Sequence, residues 1–119
     1  MRRGGKFGTK KAICNHGHTH DSGTEAKRCD ELHFLQQSGH ITNLKVHPKY
    51  LFYIGGVALK MGNGQQARYT ADFSYFEGDK SVTEDVKSKS KLVDGRDWPL
   101  RKALFKALFP YIELREVRR

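Results

Sequence analysis

Residues 67–87 read ARYTADFSYFEGDKSVTEDVK. Tyr69, Ala71, Phe73 and Tyr75 alternate with Arg68, Thr70, Asp72 and Ser74, a period of two that predicts a strand with one polar face over 67–76. Glu77-Gly78-Asp79-Lys80 has turn chemistry, and 81–87 alternates again, Val82 and Val86 on one side against Thr83, Asp85 and Lys87 on the other. The stretch reads as a β-hairpin. A two-residue loop at Gly78-Asp79, or a four-residue loop from Glu77 to Lys80, sets Asp72 directly opposite Asp85, with Cβ atoms about 5 Å apart on one face. A three-residue loop sets Asp72 against Glu84 instead. Opposed like charges destabilise a sheet, and Lys87 on the same face offsets that repulsion only in part. A divalent cation between the two acids would reverse its sign.

After the hairpin, 88–95 is a polar loop carrying Lys89 and Lys91. Asp97 and Pro99 then give helix-start signals, and Leu100, Ala103, Leu104, Ala107 and Leu108 fall at i, i+3, i+4, i+7 and i+8. Pro110 ends this helix, and Tyr111, Ile112, Leu114 and Val117 predict a closing strand. Before the hairpin, 41–46 and 50–54 look extended around His47-Pro48, and 57–61 reads as a return strand after Gly55-Gly56. Upstream, Ser22-Gly23-Thr24-Glu25 has the form of a capping box, and Ala26, Cys29, Leu32 and Leu35 recur at spacing three towards Gly39, which predicts a helix over 22–38. The segment 12–20 suits an extended conformation only weakly. Residues 1–11 hold five cations, Arg2, Arg3, Lys6, Lys10 and Lys11, and no acid, as a flexible basic arm would. The division is thus a basic arm at 1–11 and one domain over 12–119.

At 119 residues the chain has room for one small core. No apolar run approaches the roughly 20 residues of a membrane helix, and no signal-type stretch follows the N-terminus, so the expectation is a cytoplasmic protein with no membrane partner. Two cysteines are too few for a secreted disulfide scaffold. With 22 Lys plus Arg against 13 Asp plus Glu, the formal charge of +9 points to a polyanion as partner.

Asp72, followed on the next strand by Asp85-Val86-Lys87, resembles the PD-(D/E)XK nuclease superfamily. The tripeptide alone is weak evidence, since Glu25-Ala26-Lys27 has the same form on a helix. The context is more specific: acid and lysine share a face, the partner acid lies on the paired strand, and the element order is that of an αβββαβ, restriction-endonuclease-like α/β core with a mixed sheet flanked by helices. Asp21-Ser22-Gly23-Thr24-Glu25-Ala26, Tyr69-Thr70-Ala71-Asp72-Phe73, Glu84-Asp85-Val86-Lys87 and the Arg101-Lys102 helix before Pro110 extend the likeness. They look like a phage-associated family of small, nuclease-like and Holliday-junction-resolvase-like proteins, in the cytoplasm of a bacterial host if phage-encoded. Two departures stand out: Ala71 replaces the Pro of the motif, and Asp85 stands where Glu is more usual.

The resemblance implies a Mg2+-dependent (or Mn2+-dependent) endodeoxyribonuclease. Asp72 and Asp85 would hold the ion with the Val86 carbonyl, Glu25 would complete the shell or a second site, and Lys87 would position the attacking water. Lys89, Lys91, Arg96, Arg101, Lys102, Lys106 and the arm would grip flanking phosphates of branched or duplex DNA. Cutting both strands of a junction would call for a homodimer. Plainer readings stand beside these: Glu25 as a capping-box acid folding back on Ser22, Asp72 and Asp85 as solvated strand residues, Lys87 as a surface lysine.

Cys14, His18, His20 and Cys29 form a second constellation, C-x3-H-x-H-x8-C, of zinc-ligand type. In an ideal strand Cys14, His16, His18 and His20 would share one face, so His16 competes with His18. The plainer reading has Cys29 as a small buried hydrophobe and the histidines as surface groups. The rival to a nuclease is accordingly a non-catalytic, zinc-clipped DNA-binding protein on the same fold. His33, His40 and His47 carry no signal.

Overall fold

The computed structural model describes residues 10–90 and 94–119. Most of the basic arm, residues 1–9, and Lys91 lie outside the described residues; Lys11 pairs with Asp21 at 3.2 Å on the surface. In chain order the elements are β1 (Ala12–Ile13), β2 (Thr19–His20), α1 (Gly23–Gln37), β3 (Thr42–Val46), β4 (Lys49–Leu51), β5 (Tyr53–Ile54), β6 (Val57–Ala58), β7 (Arg68–Thr70), β8 (Phe73–Glu77), β9 (Lys80–Lys87), α2 (Trp98–Leu108) and β10 (Ile112–Arg118). The fold is a mixed α+β one. A four-stranded sheet of order β10-β9-β8-β3 forms its middle, antiparallel throughout except for the parallel pair β9 and β10.

The hairpin has the two-residue loop. Glu77 pairs with Lys80 and Phe73 with Glu84, and Gly78 at φ 59° supplies the positive φ such a turn needs at its first central position. That register carried one step further puts Asp72 against Asp85. The Asp72 N–H still donates to the Glu84 carbonyl at 3.2 Å, but the ladder ends there.

The strand expected over 67–76 is in fact two. Tyr69 and Ala71 pack with Phe52, Trp98 and Phe105 in one core, whereas Phe73 and Tyr75 pack with Ala26, Cys29, Leu32 and Val82 in the other. The chain bends at Asp72 and so changes the face of the sheet it serves. Alternation survives the bend, which is why the sequence shows a single strand. β7 instead pairs with β4, and β5 with β6, in a ribbon turned by Gly55 and Gly56 at φ 59° and 79°.

Helix α1 covers one face of the sheet. Ser22 caps it by accepting from the Glu25 N–H at 3.2 Å, and Ala26, Cys29 and Leu32 are buried as their spacing predicts. Helix α2 covers the other face, but with a different stripe from the one expected. Its buried residues are Trp98 and Phe105, with Leu104 and Leu108 half-buried, while Leu100 is 68% exposed and Ala103 and Ala107 are exposed. Two aromatic rings seven residues apart bury more apolar area than the Leu/Ala series and set the rotation of the helix. Phe105 lies 4.9 Å from Tyr50 and 5.2 Å from Tyr69 between ring centroids.

A partly buried ion pair ties α1 to the sheet. Arg28 Nε and Nη2 donate to the two Glu84 carboxylate oxygens at 2.7 and 2.8 Å, and the Tyr75 hydroxyl donates to Oε2 at 2.6 Å. Glu84 is wholly inaccessible to solvent. Arg28→Ala should therefore cost about 3–5 kcal/mol, because it strands a carboxylate in the core rather than merely deleting a contact. Urea titration checks this, and Glu84→Gln on the same background should recover much of the loss.

Candidate functional site

Where the hairpin ladder ends, Asp72 and Asp85 meet. Asp85 is 8% exposed, and its Oδ2 accepts from the Tyr69 hydroxyl at 2.7 Å and lies 3.5 Å from Lys87 Nζ. Asp72 Oδ2 accepts the Val86 N–H at 2.7 Å. Burial first, then the hydrogen bond and charge of Asp85, then the charge of Glu25, raise the Asp72 pKa well above its ordinary 3.8. The cause is physical crowding of acids: one local cation cannot neutralise three carboxylates in a desolvated place. Lys87 Nζ sits 3.9 Å from the centroid of the Trp98 ring, whose Nε1 donates to Glu116 at 3.2 Å. The indole face and the Asp85 carboxylate thus both hold the lysine ammonium.

Glu25 approaches from the first turn of α1. It is 4% exposed, and the capping-box alternative for its side chain does not hold, because Oε2 instead contacts His20 Nδ1 and, at 2.9 Å, His47 Nε2. Its charge is felt at Asp72, yet among the described residues the Glu25, Asp72 and Asp85 carboxylates do not gather as a trio within 4.8 Å.

Three groups of described side chains do bring metal-ligand atoms within 4.8 Å of one another, so the fold can hold a metal ion. They are Cys14, His18, His20 and Cys29; Cys14, His16 and Asp30; and His20, Glu25 and His47. The first is the expected constellation, delivered by other means than a strand. β1 and β2 form a short hairpin whose loop closes with Cys14 N–H donating to the His18 carbonyl at 3.0 Å, and Gly17 at φ 85° makes that loop passable. The turn sends His16 outward to Asp30, 3.4 Å away, and stacks it on His33 with centroids 3.8 Å apart. His16 therefore leaves the face on which an ideal strand would have kept it. Burial opposes ionisation of Cys14, but the neighbouring His20 imidazole and the His16 and His18 backbone hold its thiol down to about 6. Burial, with Cys14 adding to it, pushes the Cys29 thiol up to about 12.

The cations expected to meet phosphate divide. Lys89, Arg96 and Lys106 are exposed, whereas Arg101 pairs with Asp97 at 2.9 Å and Lys102 pairs with Glu116. Sequence reading missed Tyr69, Trp98 and His47. Tyr69 was visible only as an apolar member of the alternation, and Trp98 only as the residue between two helix-start signals. His47 had no local signal, for its place depends on a backbone at φ 56° that turns the ring back towards α1.

No curated protein and no solved structure matches this chain. A family model does, and it covers residues 4–119, the hairpin, both helices and the Cys/His cluster included: the chain belongs to the family described as protein of unknown function (DUF1064).

Proposed function

We propose that this chain is a metal-dependent DNA endonuclease that hydrolyses phosphodiester bonds in branched or duplex DNA, in the setting of phage DNA processing or recombination. The observation that supports this most is the desolvated meeting of Asp72 and Asp85 with Lys87 at hand, an arrangement that is costly unless a cation or a proton enters it. The donor set fits a hard divalent ion, Mg2+ or Mn2+, which when bound supplies Lewis-acid polarisation of the scissile phosphate.

The chain's own residues do the rest. The Tyr69 hydroxyl and the Val86 N–H orient one oxygen of each aspartate, so the two carboxylates would hold a divalent ion without searching rotamers. Lys87, pinned between Asp85 and the Trp98 ring, donates to the attacking water and to the phosphoryl oxygens as negative charge builds there. Glu25 acts on Asp72 through its field, with His20 and His47 fixing its carboxylate. Lys89, Arg96 and Lys106, together with Arg101 and Lys102 once their carboxylate partners are exchanged for phosphate, bind the flanking backbone. Cleavage of two strands in one junction would bring two chains together as a homodimer.

Supercoiled plasmid and a four-way junction, each incubated with Mg2+, Mn2+ or EDTA, test the reading. Nicking or junction resolution that needs the metal is the expected result, and intact substrate under all conditions would overturn it. The zinc-clipped, non-catalytic DNA-binding protein is the second reading, favoured by the Cys14, His18, His20 and Cys29 cluster, and it predicts DNA retention with no cleavage.

The acid pair also predicts a pH dependence. With its folded pKa above the unfolded value, Asp72 keeps a proton that the unfolded chain has released at pH above about 4, so its contribution to stability declines as pH rises through that window. In EDTA the wild-type Tm should fall more steeply than that of Asp72→Asn between about pH 5 and pH 8. Mg2+ or Mn2+ should raise the wild-type Tm most at the upper end, since the ion displaces the proton. Parallel curves for the two proteins would contradict this.

A further inference from the structure

We propose that Cys14 Sγ, His18 Nδ1, His20 Nε2 and Cys29 Sγ hold a structural zinc ion that clips the β1 and β2 hairpin to α1. Tetrahedral zinc with Zn–S near 2.3 Å and Zn–N near 2.0–2.1 Å places sulfur and nitrogen ligands about 3.6 Å apart. His18 Nδ1 stands 3.5 Å from Cys14 Sγ and 3.7 Å from Cys29 Sγ. The four ligand atoms all lie within 4.8 Å of one another, and three of the four residues are buried.

His20 supplies an independent observation. Its Nδ1 is bonded to Glu25 Oε2, and its Nε2 is buried with no hydrogen-bond partner among the described residues. A buried imidazole nitrogen with no hydrogen-bond partner, set among two thiols and a second imidazole, has the surroundings of a metal ligand. Glu25 on the far side of the ring is the carboxylate that metal-binding histidines commonly have, fixing the tautomer that leaves Nε2 free to ligate.

The other imidazoles are committed elsewhere. His33 Nδ1 lies 3.6 Å from Cys29 Sγ but only 2.9 Å from the Cys29 carbonyl, and His16 Nδ1 faces Asp30. Two thiolates and two imidazoles in a closed tetrahedron select zinc over the hard cation that suits Asp72 and Asp85, and a closed shell leaves no position for substrate. The ion therefore has a structural use: strands of two residues each cannot hold a hairpin on a helix unaided.

Protein purified without chelators should contain one zinc per chain. Exchange for Co2+ should give the intense visible bands of a tetrahedral site and near-ultraviolet thiolate charge transfer. Cys14→Ser and Cys29→Ser should lose the metal, while His33→Ala and His16→Ala keep it. Should the cysteine variants not fold, titration of wild type with a mercurial reagent decides, with one zinc released as two thiols react. Protein holding less than about a tenth of an equivalent of zinc and giving only a pale octahedral Co2+ spectrum would overturn the proposal, as would thiols that react without releasing metal. Because every readout is metal content or spectrum, failure here leaves the nuclease reading standing, and the reverse also holds.

Discussion

Asp72→Asn or Asp85→Asn is expected to take metal-dependent cleavage below detection while leaving DNA affinity unchanged or raised. Each substitution keeps the side chain's shape and removes one anionic ligand from a pair. A neutral amide oxygen is a much poorer partner for a hard divalent ion, so the Lewis acid is lost along with the water it orients. In the proposed reading either substitution would take an acidic group from a surface that faces phosphate, so affinity would be kept or raised. Asp72→Asn should also stabilise the metal-free protein, since burial and Asp85 no longer act on an ionisable group there. Gel-shift and cleavage assays on the same preparations separate the two effects, and metal-dependent cleavage retained by both variants would remove the basis for the nuclease reading.

If the proposed reading holds, Lys87→Ala is expected to lower the single-turnover rate by about 10²- to 10³-fold with little change in affinity, because its ammonium would be used at the developing charge rather than in holding the duplex. The ring of Trp98 lies 3.9 Å from Nζ, so the side chain is already ordered before substrate arrives and its loss is not repaid by other cations nearby. Lys89→Ala offers the contrast. On an exposed loop, it should weaken binding at all sequences and leave the rate at saturating protein nearly unchanged. A Lys87→Ala protein that merely copied Lys89→Ala would make Lys87 a phosphate contact.

Much of the hairpin was legible because the information is local. A period of two and the Glu77 to Lys80 turn chemistry marked the hairpin locally but left its loop length open, and the two-residue loop found there brings Asp72 to Asp85. The α1 boundaries were legible for the same reason, through Ser22 and the glycine stop. Reading failed where the deciding interaction is distant. The bend at Asp72 leaves alternation intact while exchanging one core for the other, so no local pattern reveals it. The Leu100, Ala103 and Ala107 stripe of α2 was the more regular series, but Trp98 and Phe105 meet Tyr50 and Tyr69 from the ribbon and win the packing. Arg28 and Glu84 lie 56 residues apart, so no local pattern joins them. Likewise Glu25 was expected on the acid pair or on its own helix cap. Two histidines brought from β2 and from the turn after β3 take its oxygen instead.

The parallel seam between β9 and β10 bears on how the molecule is made. Its two strands pair over seven positions, from Ile112 with Ser81 to Arg118 with Lys87, yet α2 and its loops lie between them in the chain. Closing that seam requires a long crossover to be ordered first, whereas the β8 and β9 hairpin needs a turn of two residues. On an emerging polypeptide, β9 thus spends an interval with one edge open, and β10 is still unmade when Asp72 and Asp85 are already neighbours. In that interval Lys87 lacks both Trp98 and the strand beside it. The nascent chain would bring its acids together before Trp98 and β10 fix its lysine, so any activity that needs all three would wait until translation has passed β10.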